Sequence, residues 1–292
     1  MGIKVILDTD IGNDIDDALC AGYLLANREC ELLGVTTVFG DTVVKARLIS
    51  ALCKAAQRDV PIYPGVKQPL LVPIREGKKT SRQAAALPEL EHDTDWPERE
   101  AMRFLSETIR ANPGEVVLCT IGALTNIGVL FSIDPELPAL LKGMVSFCGH
   151  YGVRKPEPNA FYDPHAAAIV YGQRMNYHKC MGHDVNRYSL HKSVFGDKFS
   201  GHPVLDVVRR YAEIYFERQD TAYFADPLAG IAIFREDIFG WKKGRATIEL
   251  KDEEMLGLTH WAEGGEEPWH EVPFEIDRDA FEKEYFSVFE AR

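Results

Sequence analysis

Five aspartates crowd into residues 8–17, close to the start of the chain: Asp8, Asp10, Asp14, Asp16 and Asp17. Carboxylates this close repel one another unless a cation or a bound polyol offsets their charge. A set of ligands made only of oxygen atoms suits a hard cation, Ca²⁺ or Mg²⁺. The run therefore predicts a site for a divalent cation.

Part of the run has a plainer explanation. Asn13 and Asp14 are candidates for helix capping, because Asp and Asn favour N-cap positions and acids suit a first helical turn. An EF-hand is a poor match. A loop that starts at Asp8 has Gly12 at its fifth position instead of its sixth, and no Glu at its twelfth.

The segments on either side predict a strand and a helix. Residues 3–7 are an apolar run typical of a buried strand, and residues 18–26 are typical of an apolar helix. The aspartates are therefore expected at the carboxyl end of a strand, which is where open α/β sheets bind ligands. Gly12 permits a backbone geometry that other residues resist.

The same alternation continues along the chain. Strands are predicted at 31–38, 60–65, 116–120, 144–149 and 177–186, and helices at 42–56, 98–111, 135–141, 163–171, 204–216 and 227–233. Residues 246–286 predict further strands and a last helix. The expected fold is one open α/β domain over residues 1–292, Rossmann-like, with a mostly parallel (mixed) central sheet and helices on both faces.

Residues 66–98 interrupt this alternation with four prolines and little periodicity. They contain a basic group (Arg75, Lys78, Lys79, Arg82). A long irregular segment in a compact domain is often a lid or a binding loop, and a plain surface excursion is the alternative.

Further polar residues follow the later predicted strands or stand on loops: Asp41, Thr125, Asn126, His150, Tyr151, Glu157, Asn159 and Asp226. Strand ends of a parallel sheet face one crevice, so several of these side chains are expected to converge. Taken alone, Asp226 is better explained as a helix N-cap followed by Pro at the first helical position.

Composition excludes several classes of protein. A net charge of −12 argues against a nucleic-acid surface. Six cysteines scattered through apolar segments, without a CxxC pair, indicate buried free thiols in a reducing compartment. No signal peptide and no membrane-spanning run is recognisable, so we expect a cytoplasmic protein.

The aspartate run, Asp8-Thr-Asp-Ile-Gly-Asn-Asp-Ile-Asp-Asp-Ala18, resembles the N-terminal signature of the nucleoside hydrolases, the inosine-uridine-preferring type and its bacterial relatives. Four later segments are similar and stand in the right order: Val35-Thr-Thr-Val-Phe-Gly40, Ile121-Gly-Ala-Leu-Thr-Asn-Ile127, Glu157-Pro-Asn-Ala-Phe-Tyr-Asp-Pro164 and Ala225-Asp-Pro-Leu-Ala229. The resemblance spans about residues 3 to 230. The ordered set is much more specific than the first motif alone.

The resemblance implies Ca²⁺-dependent hydrolysis of the N-glycosidic bond of ribonucleosides to ribose and free base, by a homodimer or homotetramer. It implies that Asp10 deprotonates a metal-bound water and that Asp8 supports the metal ligands. It assigns the metal to Asp10, Asp17, Asp226 and the backbone carbonyl of Thr125, and the ribose hydroxyls to Asp16, Glu157 and Asn159. Asp41 and His150 are further candidates for substrate contact.

Three features depart from the family pattern. Ala225 replaces a His that the family associates with the leaving base; His150, Tyr151, His183 and Tyr223 are the possible substitutes. Asp41 replaces the usual Asn. The family's glycine-rich stretch with His, which contacts the base, is not recognisable near residues 92–95, so base preference cannot be carried over.

Three alternatives remain open. A haloacid-dehalogenase-like phosphotransferase would use Asp8 as nucleophile and Asp10 as acid and base with Mg²⁺. A nucleoside-binding member of the family would have lost turnover, as Ala225 and Asp41 suggest. A hydrolase of an altered N-riboside would use the basic group Arg75 to Arg82 for a phosphate.

Overall fold

The chain forms eleven strands in a computed structural model that describes residues 2–74, 80–185 and 188–290. The strands are β1 (Ile3–Thr9), β2 (Cys30–Thr37), β3 (Ile62–Pro64), β4 (Val116–Thr120), β5 (Gly143–Phe147), β6 (His178–Met181), β7 (Ser189–His191), β8 (Thr221–Tyr223), β9 (Phe239–Ile248), β10 (Thr259–Glu263) and β11 (His270–Ile276). Nine of them build the central sheet, while β7 and β8 form a separate antiparallel pair.

The order across the sheet locates the ligand-binding edge. It is β10-β9-β11-β6-β5-β4-β1-β2-β3. Seven neighbouring strands run parallel to one another: β3, β2, β1, β4, β5, β6 and β11. Strands β9 and β10 add an antiparallel margin. Chain order reverses between β1 and β4, and such a switch point opens a crevice at the carboxyl ends of the two strands. The predicted Rossmann-like, mixed α/β sheet is confirmed.

Helices cover both faces of this sheet. They are α1 (Asp16–Ala26), α2 (Thr42–Ala55), α3 (Ala101–Ala111), α4 (Thr125–Ile133), α5 (Leu137–Leu140), α6 (Pro158–Tyr162), α7 (Pro164–Tyr171), α8 (Lys192–Lys198), α9 (Pro203–Tyr215), α10 (Asp226–Ala232) and α11 (Arg278–Ser287). Two short 3₁₀ helices span Arg82–Glu89 and Glu236–Ile238.

Two apolar cores hold the layers together, one on each side of the sheet. Val5 and Leu7 of β1 belong to the core formed with α1, α2, α9 and α10, whereas Ile6 belongs to the core formed with α3, α4 and α7. This alternation follows from the two-residue period of a strand. Each fully buried aliphatic side chain contributes about 1.5–3 kcal/mol. The cores therefore fix β1, whose end carries the aspartates.

Several sequence-based boundaries were wrong. The first strand runs two residues further than expected and includes Asp8, because its ladder with β2 and β4 continues to that point. The strand predicted from residue 177 ends at Met181, before Gly182. The pair β7–β8 and helix α8 were not predicted. Among the described residues, no helix is long and apolar enough to cross a membrane.

The three capping predictions were also wrong. Helix α1 has Ile15 at its N-cap and no side-chain cap, so neither Asn13 nor Asp14 caps it. The Asn13 amide instead donates to the Thr80 carbonyl (2.9 Å). Helix α10 is preceded by Ala225, and Asp226 is its first residue without a capping bond. The Asp226 carboxylate therefore does not cap α10.

Candidate active site

A cavity of about 430 Å³ opens at the switch point between β1 and β4. Its walls are acidic on one part and aromatic on another. The lining residues that carry the argument below are Asp10, Asp14, Asp16, Asp17, Phe147, Glu157, Asn159, Tyr162, His183, Tyr215, Tyr223, Ala225 and Asp226. The aspartates that follow the first strand thus line one concave site.

The turn that carries Asp10 is held by buried contacts. Gly12 has φ +137°, and a Cβ there would lie 2.5 Å from the Ser81 hydroxyl oxygen. Lys45 reaches in from α2, and its ammonium donates to the carbonyls of Asp10 and Ile11, the latter at 2.9 Å. These buried contacts therefore fix the backbone of the turn.

Asp16, Asp17 and Asp226 form an acidic cluster at the entrance to α1 and α10. One carboxylate oxygen from each lies within 4.8 Å of the other two. Burial, followed by the charges of neighbouring aspartates, raises the pKa of Asp17 and of Asp226 well above the usual range. A bound cation would reverse this penalty, since an opposite charge favours the ionised form. The cluster therefore fits a hard divalent cation.

Asp10 acts on this cluster through its charge. Its carboxylate is among the groups that raise the pKa of Asp17, after burial, and it contributes in the same direction for Asp226 and Glu157. The Thr9 hydroxyl donates to Asp17 (2.6 Å) and fixes that carboxylate. Asp10 thus faces the same space as the cluster without belonging to its tightest group.

Asp8 lies behind the cavity in the sheet. Its carboxylate accepts from the Thr36 hydroxyl (2.5 Å) and the Asn126 amide (2.6 Å), both on the same oxygen. Burial raises the pKa of Asp8 to about 7, against those two hydrogen bonds. From this position Asp8 can support the residues of the cavity from within the sheet.

Glu157 is the N-cap of α6, and Asn159 lies in the first turn of that helix. Glu157 accepts from the backbone N–H of Ala160 (3.1 Å), and burial raises its pKa to about 8. The Asn159 amide donates to the carbonyls of Ile121 (3.1 Å) and Phe147 (2.9 Å). Both side chains are thereby oriented at the cavity wall.

Three predicted site residues are absent from the lining. Asp41 is exposed and caps α2 by accepting from Val44 N–H (3.2 Å). His150 is buried and donates to the Lys155 carbonyl (2.9 Å). Thr125 donates its hydroxyl to Asp163 (2.7 Å). The substrate contacts assigned to Asp41 and His150, and the metal contact assigned to the Thr125 carbonyl, stay predictions.

Lys45 was missed by the sequence analysis. In the sequence Lys45 is a polar residue between apolar neighbours in α2, which predicts an exposed side chain. In the structure that side chain is almost fully buried. A signal was present, because a cation in the first turn of a helix opposes the helix dipole and calls for an acceptor elsewhere. The charge of Lys45 lowers the pKa of Asp17, against the larger effect of burial.

The middle of the irregular segment 66–98 touches the aspartate turn. Gln83 donates its N–H to the Gly12 carbonyl (3.0 Å) and its amide to the Asp14 carbonyl (2.9 Å). Of the basic group, Arg82 is exposed, while Arg75, Lys78 and Lys79 lie outside the described residues. The function of this segment as a lid stays a prediction.

Comparison with known proteins agrees with this geometry. The family model described as inosine-uridine preferring nucleoside hydrolase matches residues 5–283. An uncharacterised protein of Schizosaccharomyces pombe is 31% identical over 88% of each chain. Uridine nucleosidase 1 of Arabidopsis thaliana is 27% identical over 91% of this chain and 85% of its own.

A solved structure shares the fold. The purine-preferring ribonucleoside hydrolase from Gardnerella vaginalis superposes with a TM-score of 0.84 at 19% identity, covering 98% of both chains. The chain therefore belongs to the inosine-uridine preferring nucleoside hydrolase family. The members are metal-dependent ribonucleoside hydrolases, so the class of enzyme is an N-glycosidase.

Proposed function

We propose that this chain hydrolyses ribonucleosides to ribose and free base, with Ca²⁺ held at the acidic cluster and Asp10 as general base. The observation that carries the proposal is the convergence of Asp16, Asp17 and Asp226 in a cavity that Asp10 also lines. All donors are oxygens, and Ca²⁺ accepts six to eight of them in flexible geometry. Positions therefore remain for substrate hydroxyls.

Within the acidic cluster, Asp17 and Asp226 would hold the ion by their side chains, while Asp16 would hold the ribose. Asp10 and the Thr125 carbonyl would complete the ligand set. When bound, the ion supplies Lewis acidity that lowers the pKa of an adjacent water. Asp10 accepts the proton of the attacking water, as a carboxylate placed beside a nucleophile can do.

The remaining polar residues orient the sugar. Asp16, Glu157 and Asn159 are placed to hold the ribose hydroxyls, and the two hydrogen bonds that fix the Asn159 amide leave its oxygen as the acceptor. Breaking the glycosidic bond builds positive charge on the ribose, which carboxylates in a water-poor cavity stabilise. One acidic site thus serves binding and reaction.

The proposal includes a cytoplasmic homodimer or homotetramer. The six cysteines are buried and free, as expected in a reducing compartment. Leu71 and Leu250 are exposed beside Ile169 in an apolar groove, a surface of the kind that subunit contacts cover. Light scattering after gel filtration tests the assembly, and a monomer at all concentrations would contradict it.

The test of the function is ribose release from inosine, adenosine, guanosine, uridine and cytidine, with Ca²⁺ and with a chelator. We expect Ca²⁺-dependent release from one or more of them, which also sets the base preference. Nucleoside binding without release from any of the five would instead favour a binding protein that has lost turnover.

A further inference from the structure

The cavity needs a group that handles the departing base, and Ala225 cannot be that group. Ala225 lines the cavity directly before Asp226, and its methyl side chain offers neither a proton nor a hydrogen bond. In N-glycosidic cleavage the electron pair of the broken bond moves onto a ring nitrogen of the base. A donor placed at that nitrogen stabilises the transition state.

Of the cavity-wall side chains that the structure describes, four carry a hydroxyl or ring N–H that could serve. The Tyr215 hydroxyl already donates to the Thr221 carbonyl (3.0 Å). Tyr162 is stacked on Phe39, with ring centroids 5.1 Å apart. Tyr223 is 54% exposed, so its position is poorly confined. The fourth side chain is His183.

The His183 ring packs against two neighbouring aromatic rings. The Phe147 ring meets it edge-on, with centroids 4.9 Å apart, and the His150 ring lies 5.3 Å away. Among the described residues, neither nitrogen of His183 makes a hydrogen bond. The nearest acidic oxygen belongs to Glu157, 4.0 Å from Nε2. The side chain is 39% exposed, toward the cavity that it lines.

The surroundings of the ring favour the uncharged imidazole. Burial, followed by the charge of His150, lowers the pKa of His183 to about 4, against the opposing charges of Asp184 and Asp14. The charged and titratable groups around it are Asp14, His150, Lys155, Glu157 and Asp184. A neutral imidazole still has one N–H, which can donate to developing negative charge, as in other enzymes that use an uncharged His as electrophile.

We propose that His183 is the residue that contacts the departing base, as an uncharged imidazole whose N–H donates a hydrogen bond to the released ring nitrogen. The inference rests on the proposed function. The bond from the ribose carbon to the base nitrogen breaks, and its electron pair stays on the base. The water oxygen bonds to the ribose carbon, Asp10 takes the water proton, and solvent later protonates the base.

The experiment compares two substrates that differ in their need for this donor. One is the nucleoside that the wild type cleaves best, and the other is p-nitrophenyl β-ribofuranoside, whose nitrophenolate leaves without assistance. We expect His183→Ala to lower kcat on the nucleoside about 10²-fold, the usual effect of removing one such donor, and on the nitrophenyl riboside less than about threefold. His183→Gln, which keeps an N–H donor, should recover part of the loss.

Several results would overturn the inference. An equal loss on both substrates would mean that His183 only shapes the cavity. A selective loss in Tyr223→Phe, with His183→Ala unaffected, would move the role to Tyr223. Cleavage of the nitrophenyl riboside alone by the wild type would refute the donor while leaving the acidic site intact. Cleavage of neither substrate would instead refute the proposed function, and this inference with it.

The pH dependence gives a second readout. Because the ring is already uncharged, the ratio of wild-type to His183→Ala kcat should stay constant between pH 5.5 and 8. A protonated His183 that transferred its proton would instead lose its advantage as the pH rises, since the imidazolium fraction falls. A ratio that declines across this range would contradict the neutral form.

Discussion

Within the described part of the chain, two groups of side chains have the spacing of a metal site, and they differ in charge and surroundings. The acidic cluster Asp16, Asp17 and Asp226 lines an open cavity. The core His–Cys cluster, His178, Cys180 and His270, also brings three candidate ligand atoms within 4.8 Å, but it is buried where β6 and β11 pair in the middle of the sheet.

In the core His–Cys cluster, burial favours the uncharged form of each side chain, and one nitrogen of each histidine has a hydrogen-bond partner while His178 Nδ1 and His270 Nε2 have none among the described residues. Burial lowers the pKa of His178, and it lowers that of His270 to about 4, while it raises the pKa of the Cys180 thiol. His178 bonds to the Ser146 hydroxyl (2.8 Å), and His270 accepts from Ala246 N–H (3.1 Å).

The comparison teaches that spacing alone does not define a binding site. Uncharged imidazole and thiol groups in a closed core do not repel one another, so they need no ion to offset charge. Carboxylates whose pKa values are raised by burial and by one another would be stabilised by positive charge, and an open cavity lets an ion reach them. The difference yields predictions for each region.

The largest expected effect is on turnover. Asp10→Asn removes the proposed general base and should lower kcat by about 10²–10⁴-fold, because an amide cannot accept the water proton. Ribose release under saturating nucleoside and Ca²⁺ measures this. Asp279→Asn, the same change on the exposed first turn of α11, is the control and should leave kcat unchanged. Near-normal turnover in Asp10→Asn would remove the assigned base.

A sugar contact should give a smaller effect that is spread over both kinetic constants. Asn159→Ala, like Asp16→Ala, is expected to raise KM and lower kcat together, because hydrogen bonds to ribose strengthen in the transition state. We expect about 1–3 kcal/mol in kcat/KM for the loss of one such contact. Unchanged kinetics in both variants would refute the proposed ribose site.

The core His–Cys cluster should respond in stability and not in catalysis. His270→Ala removes the acceptor of Ala246 N–H and leaves a space in the sheet, which should lower the free energy of unfolding by about 1–3 kcal/mol. Urea titration measures this change. A kcat/KM for ribose release within about twofold of wild type is the second half of the prediction, and its loss would tie the core cluster to the reaction.

The smallest effect is a pH dependence of the metal-free protein. The folded pKa of Asp8 is raised to about 7 from 3.8, so its contribution to stability is complete below about pH 4 and is lost as the pH rises through 7. The Tm of chelator-treated protein should therefore fall between pH 5 and 8. Asp8→Asn, which resembles the protonated acid, should flatten that slope. A rising Tm in wild type would contradict the prediction.

Much of the fold and part of the site followed from local pattern. Strand β1 was predictable because a short continuous apolar run is typical of a buried strand, and Asp10, Asp16 and Asp17 follow it. The placement of Asp226 beside them depends on the packing of α10 against α1, which no local pattern encodes.

Two of the misses have the same physical origin, and the third has a different one. Asn13 looked like a helix cap, yet its amide is used by Thr80, a residue far along the chain. The burial of Lys45 depends on carbonyls of the aspartate turn more than thirty residues earlier. The pair β7–β8 consists of two three-residue strands, too short for a periodic signal.

The most direct test of the central claim is a calorimetric titration of Ca²⁺ into metal-free wild type, Asp226→Asn and His270→Ala. If the acidic cluster holds the ion, wild type and His270→Ala bind one Ca²⁺ per chain with equal affinity, and Asp226→Asn binds at least about tenfold more weakly, a difference of about 1.4 kcal/mol. Unaltered Ca²⁺ affinity in Asp226→Asn, or its loss in His270→Ala, would contradict the account.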